Sequence, residues 1–189
     1  MVLQIPLIVI VLLVVWFIII YNRIVSLKNQ ADQSWADVDV ELRRRHDLVG
    51  NLVETVRGYA GHERETLDAV TEARSRAVAL REEPGSDGGT GRGAAEGALA
   101  AALRQLLAVA EQYPNLKANE NFLALQASLE ELERAIETAR RRFNLRVRRF
   151  NVFVEQFPNN LVAGTVGAGS RDYFGAESDH REPPGVRFR

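Results

Sequence analysis

The sequence predicts an all-α protein in which an N-terminal transmembrane helix continues into an antiparallel bundle of long helices. Three observations predict it. Residues 2–21, VLQIPLIVIVLLVVWFIIIY, carry no charge and Gln4 as their one strongly polar side chain. Two later stretches repeat apolar residues at steps of three and four. Aromatics make up only 7% of the chain, which is otherwise rich in the helix formers Ala, Leu, Glu and Arg.

The first run has the length of a membrane span. At about 1.5 Å per residue it reaches about 30 Å, the thickness of a bilayer's hydrocarbon core. Helix is the form that satisfies its backbone in lipid. Pro6 falls in the first turn, where a missing N–H costs little, and Tyr21 suits the interface. No basic residue precedes the run, no Ala-x-Ala site follows it, and the chain has no cysteine for acylation. Residues 1–22 therefore read as an uncleaved anchor rather than a signal peptide. Arg23 and Lys28 flank its C-terminal side and no Lys or Arg flanks the other. By the positive-inside rule the N-terminus lies outside and the bundle in the cytoplasm of a cell membrane crossed once. Absence of cysteine fits a reducing compartment.

Residues 23–157 are the expected bundle. From Ile24 a stripe runs through Leu27, Ala31, Trp35, Val38, Leu42, Val49, Leu52, Val56 and Tyr59. It is a coiled-coil-like seam that can continue the anchor helix without a break. Arg45 stands where this seam expects an apolar residue. Gly58 and Gly61 predict a break, after which Leu67, Val70, Ala73, Ala77 and Leu80 restart the stripe. Residues 82–97, EEPGSDGGTGRGAAEG, hold six glycines and read as a flexible loop. No strand precedes them and no Lys-Ser/Thr ends them, so they are no phosphate-binding loop. Leu99, Leu103, Leu106 and Leu107 mark a helix to about Gln112, and Tyr113-Pro114-Asn115 is a turn. The cleanest seam follows: Phe122, Leu125, Leu129, Leu132, Ile136, Ala139, Phe143, Val147, Phe150, Val154 and Phe157, stopped by Pro158. Residues 158–189 lack a period and read as an irregular tail, in which Phe174, Val186 and Phe188 are able to dock on the bundle.

Packing the first and last long helices antiparallel sets opposite each other residues whose numbers total about 180. Arg140, Arg141, Arg142, Arg146, Arg148 and Arg149 then face Asp32, Asp37, Asp39 and Glu41, and opposite signs meet beside the seam.

Little in the chain points to catalysis. A net charge of −1 argues against nucleic acid as a partner. His46, His62 and His180 lie far apart without HExxH spacing, so no metal or cofactor is expected. There is no thiol and no GxSxG nucleophile elbow. Glu130, Glu131, Glu133 and Glu137 read as a solvated or salt-bridged helix face. The Arg43–Arg45 triplet lies about 34 Å past Tyr21 on an upright helix, far beyond a Debye length of about 8 Å. Its contacts are with the bundle or a partner rather than with lipid.

Residues 44–59, RRHDLVGNLVETVRGY, with His62-Glu63, resemble the signature of the LemA family. So do residues 110–122, AEQYPNLKANENF, then ARRRFN at 139–144, Phe150-Asn151 and Phe157-Pro158. The resemblance runs over about residues 6–188 and includes the closing Pro184, Val186 and Phe188. It implies one N-terminal transmembrane helix with a short extracytoplasmic N-terminus, an antiparallel bundle and no accepted enzymatic activity. A magnetosome-associated branch of the family points to a membrane-organising role. Gly50 departs from a frequent Pro, and Phe143 from a common Tyr. The resemblance also makes Arg44, Arg45, Asp47, Asn51, Glu54, Tyr59, His62, Glu63, Asn119, Glu120 and Asn121 a candidate interaction surface. The alternative for the polar members is capping or buried hydrogen bonding, with Tyr113, Pro114 and Asn115 serving the turn. The expected function is that of a bacterial membrane-anchored scaffold or protein-interaction module, its partners the bilayer and other proteins or a second copy. Two alternatives stand beside it. One is a cell-envelope stress component contacting lipid headgroups. The other is an enzyme accessory using Asp47, His62 and Glu63.

Overall fold

The structure is a computed structural model that describes residues 4–82 and 90–175. Six helices follow one another: α1 Gln4–Tyr59, α2 Arg64–Glu82, α3 Thr90–Ala110, α4 Pro114–Lys117, α5 Glu120–Glu155 and α6 Asn159–Thr165. No strand occurs among the described residues.

Helix α1 is a single unbroken element of 56 residues, about 84 Å long, and it carries both the apolar run and the first seam. Its apolar part makes no core: Ile5 to Ile19 are all exposed, as a segment meant for lipid would be. Gly50 does not interrupt it. A Cβ there would sit 3.6 Å from the Arg74 guanidinium of α2, an ordinary contact. The predicted break arrives where Gly58 and Gly61 place it, and the Glu63 amide donates to the Ala60 carbonyl across the turn at 3.0 Å.

Three clusters stack along α1. Farthest from the apolar run, Val49, Leu52, Val56 and Ala60 pack with Leu67, Val70 and Ala77 of α2, with Leu99, Leu103 and Leu106 of α3, and with Phe122 and Leu129 of α5. In the middle, Ala31, Trp35, Val38 and Leu42 meet Leu132, Ile136, Phe143 and Val147. Nearest the apolar run, Ile20, Ile24 and Leu27 pack on Phe150 and Val154 of α5 and Val162 and Ala163 of α6. Antiparallel pairing of α1 with α5 is thus close to its expected register. Trp35 meets Phe143 with ring centroids 5.2 Å apart.

Three expectations need correction. The expected loop over 82–97 is helical from Thr90 onward. Its glycines cost the helix up to about 1 kcal/mol each, but Arg92, Ala95 and Glu96 are buried, and tertiary contact overrides local propensity. Residues 83–89 lie outside the described residues. The tail is not irregular throughout, because residues 159–165 form α6; Phe174 docks in the middle cluster, as its apolar side chain allows. Val186 and Phe188 lie outside the described residues. The acidic and basic blocks face each other but do not form the expected ion pairs. Asp37 and Glu41 share a groove with Arg134 and Arg142. Asp32, however, pairs with Arg171, Asp39 with Arg92 and Arg43, Glu41 with Arg44, and Arg141 with Glu137. Local i,i+3 and i,i+4 partners, Arg92 of α3 and the returning C-terminal segment reach these charges first.

Candidate functional site

The interruption of the first seam at Arg45 has a buried partner. Arg45 and Glu96 are 3% and 4% exposed and form an ion pair. A second Arg45 nitrogen donates to Glu133 at 3.0 Å. The other Glu96 oxygen lies 2.9 Å from His46 Nε2. Burial pushes the His46 imidazole down to about 4, helped by Arg45, Arg81, Arg74 and Arg92 around it. At neutral pH the ring is therefore uncharged, and its Nε2–H donates to the Glu96 carboxylate. The Arg74 Nε donates to the His46 carbonyl at 2.7 Å. Arg92, one turn before Glu96 on α3, joins Asp39 and lies 4.7 Å over the Trp35 ring. A cleft of about 750 Å³ opens beside this cluster, between Arg45, Glu96, Glu133, Arg140, Gly93 and Phe174. Arg45, Glu96 and Glu133 are engaged with one another, so what these three offer chemically is charge compensation inside the bundle.

A second construction ties down the chain after α6. Arg-Arg-Phe-Asn occurs twice, at 141–144 and 148–151. Seven residues separate the copies, so both present the same face of α5. Phe143 and Phe150 enter the core. The Asn144 oxygen accepts from the Phe174 amide at 2.9 Å, and its NH2 donates to the Phe174 carbonyl. Asn151 does the same for Arg171, at 2.8 Å and 2.9 Å. Phe174 is thereby held 5.5 Å from Trp35 and under the Arg140 guanidinium. Gly175 sits at φ +71°, a conformation that L side chains rarely adopt, with the Arg140 guanidinium against it. A Cβ on Gly93 would lie 2.9 Å from the Gly175 backbone.

At the far end a third set fastens the turns. The Asn119 oxygen caps α5 by accepting from the Phe122 amide at 3.0 Å, and its NH2 donates to the Tyr59 hydroxyl at 2.9 Å. Tyr113 donates to Glu63 at 2.9 Å, a bond that raises the pKa of the phenol. Pro114 opens α4.

A sequence profile of the LemA family matches residues 34–188. The chain belongs to the LemA family. Curated relatives include Magnetosome protein MamQ of Magnetospirillum gryphiswaldense, 25% identical over 185 residues that cover 87% of this chain and 66% of that one. Magnetosome proteins MamQ 1 and MamQ 2 of Paramagnetospirillum magneticum are each 24% identical over 174 residues, 82% of this chain and 64% of theirs. The chain thus spans slightly less than two thirds of the length of these relatives. Family membership and an apolar helix of spanning length make this a membrane-associated LemA protein.

The LemA signature residues do not gather into one patch. Tyr59, Glu63 and Asn119 are spent on the turns. Arg45 is not on the surface but in the core. Arg44, Asp47, Asn51 and Glu54 are exposed along one face of α1, and Arg44 and Asp47 border a groove with Ser128 and Glu131 of α5. His62, Glu120 and Asn121 are exposed at the far end. Asp47 lies about 18 Å along α1 from Tyr59, so the structure does not bring it to His62 and Glu63. Among the described residues no three His, Asp or Glu side chains converge to hold a metal ion. Sequence reasoning missed Glu96, Arg92 and the two asparagines. The doubled Arg-Arg-Phe-Asn was a readable signal for the asparagines; Glu96 had none, lying in a glycine-rich stretch.

Proposed function

We propose that this LemA protein is a membrane-tethered scaffold whose bundle stands in the cytoplasm and offers the exposed polar face of α1 to a protein partner. The observation that carries this reading is the continuity of α1 through the apolar run into the bundle core. One helix joins bilayer and docking face with no hinge between them. The positive flank at Arg23 and Lys28 supports the cytoplasmic side. Relatives named as magnetosome proteins support a role at a membrane. The face itself is Arg44, Asp47, Asn51 and Glu54, spaced three and four apart and left uncovered by α2, α3 and α5. The main catalytic alternative needs Asp47 beside His62 and Glu63, which the fold separates, and no turnover is expected of the bundle.

A photo-crosslinking residue at Asn51 tests this in native membranes, with products read by mass spectrometry. The reading expects one discrete product, lost when Asp47→Arg and Glu54→Arg reverse the face without moving the melting temperature. A product unchanged by those reversals, or none at Asn51 while a probe at Leu123 crosslinks, would sink the assignment of the face.

A further inference from the structure

The end of the bundle nearest the apolar run carries features that the docking face does not use. Ile20, next to the last residue of that run, is buried against Val162 and Ala163 of α6. Helix α6 therefore lies at the level where α1 leaves the hydrocarbon. Its inner face is packed, while on its exposed side Leu161 stands beside Asn160, Gly164 and Thr165, and large apolar residues flank the helix at both ends. Leu161 is 59% exposed and Val166 is exposed, and Phe157 just before the helix is 80% exposed, more than any other large apolar side chain described. In water each such side chain forgoes the gain of burial. Beside them Arg23, Arg148 and Arg149 border a groove with Leu145, Val152 and Phe153. Arg23 is about 3 Å past Tyr21 along α1, and the antiparallel register puts Arg148 and Arg149 about 12 Å past it. A headgroup layer is about 5–8 Å deep, and an arginine side chain spans the remainder. Apolar side chains at the hydrocarbon edge with cations just above them are the arrangement of an interfacial element on an anionic membrane.

We propose that the corner between α5 and α6 is a second membrane contact: Phe157, Leu161 and Val166 insert into the leaflet that α1 leaves, and Arg23, Arg148 and Arg149 bind the phosphates of anionic lipids. The proposal rests on α1 spanning the bilayer. Two attachments, one spanning and one lying in the interface, then hold the bundle against tilting at its base.

The chain has no cysteine, so nitroxide labels can be placed singly on the full-length protein by Val11→Cys, Asn160→Cys and Leu123→Cys. In phosphatidylcholine vesicles containing phosphatidylglycerol, accessibility to oxygen and to a water-soluble nickel chelate reports depth. The label at 11 should be deep, at 160 interfacial and at 123 aqueous. Adding Phe157→Asp and Leu161→Asp should move the label at 160 into water while that at 11 stays deep. Phosphatidylglycerol retained on purification should fall roughly tenfold or more in Arg23→Gln/Arg148→Gln/Arg149→Gln, and inorganic phosphate should not displace it. A deep label at 11 with an aqueous one at 160 overturns this proposal alone. A label at 11 outside lipid overturns the anchor and the proposal together. Displacement by inorganic phosphate would mean the arginines read a free anion, and would overturn the lipid assignment.

Discussion

Removing the Glu96 carboxylate should cost more than removing an ordinary buried contact, because it leaves Arg45, 3% exposed, with only the half-exposed Glu133 to balance its charge. Breaking one side of a buried ion pair costs about 3–5 kcal/mol. Glu96→Gln should lower stability by that order in denaturant unfolding of the detergent-solubilised protein, whereas Arg45→Met with Glu96→Leu should recover much of it. Equal stability of Glu96→Gln and the native chain would show that the cluster is solvated. His46 gives the same cluster a pH signature. Its folded pKa, about 4, lies below the ordinary value of 6.5, so the unfolded chain takes up the proton first. Stability from this group is whole above about pH 6.5 and is lost as pH falls toward 4, by roughly 3 kcal/mol in all. His46→Gln should flatten that part of the profile, and identical slopes for the two proteins would place the ring in water. Arg45 was legible as a charge in an apolar seam, but its partner was not, since six glycines around Glu96 outweigh one carboxylate in any local reading.

Helix α5 was the most legible element, because nearly every residue of its predicted seam is buried and periodicity alone marks such a face. Leu125 is half-buried, and Phe157 is exposed. It lies past the end of the helix, where the period no longer governs direction. Phe143 is 1% exposed and packs at a tilt against Trp35, so Phe143→Ala should cost about 3–5 kcal/mol; an unmoved melting temperature would mean this seam is not a packed core. The segment 171–175 was illegible as structure, since it has no period of its own and takes its form from side-chain amides on α5. Asn151→Leu should therefore release it. Hydrogen exchange at the Arg171 and Phe174 amides should accelerate while exchange within α5 is unchanged. Protection retained at Arg171 would show that contacts other than the asparagine hold the segment.

At the scale of the whole molecule, class, helix order and the antiparallel partnership of α1 with α5 followed from apolar spacing, while the ion pairs did not. Charges choose among several neighbours of similar distance, and exposed pairs are worth only about 0–1 kcal/mol each, too little to impose a pattern on the fold. Orientation is a further expectation at this scale. A reporter active only in the cytoplasm, fused after Arg189, should be active, and protease outside intact cells should leave the bundle uncut. Digestion from outside would reverse the orientation.

With its apolar run spanning the bilayer as proposed, the unbroken α1 would make the protein a ruler with a fixed phase. Tyr59 stands about 57 Å from Tyr21 along the helix, so whatever docks near the far turns is kept at a set height above the bilayer. Each residue inserted between anchor and bundle would raise that height by about 1.5 Å and swing the bundle by about 100°. Two anchors paired in the membrane would thus dictate which faces of their bundles look at each other, and a single inserted alanine would turn those faces apart.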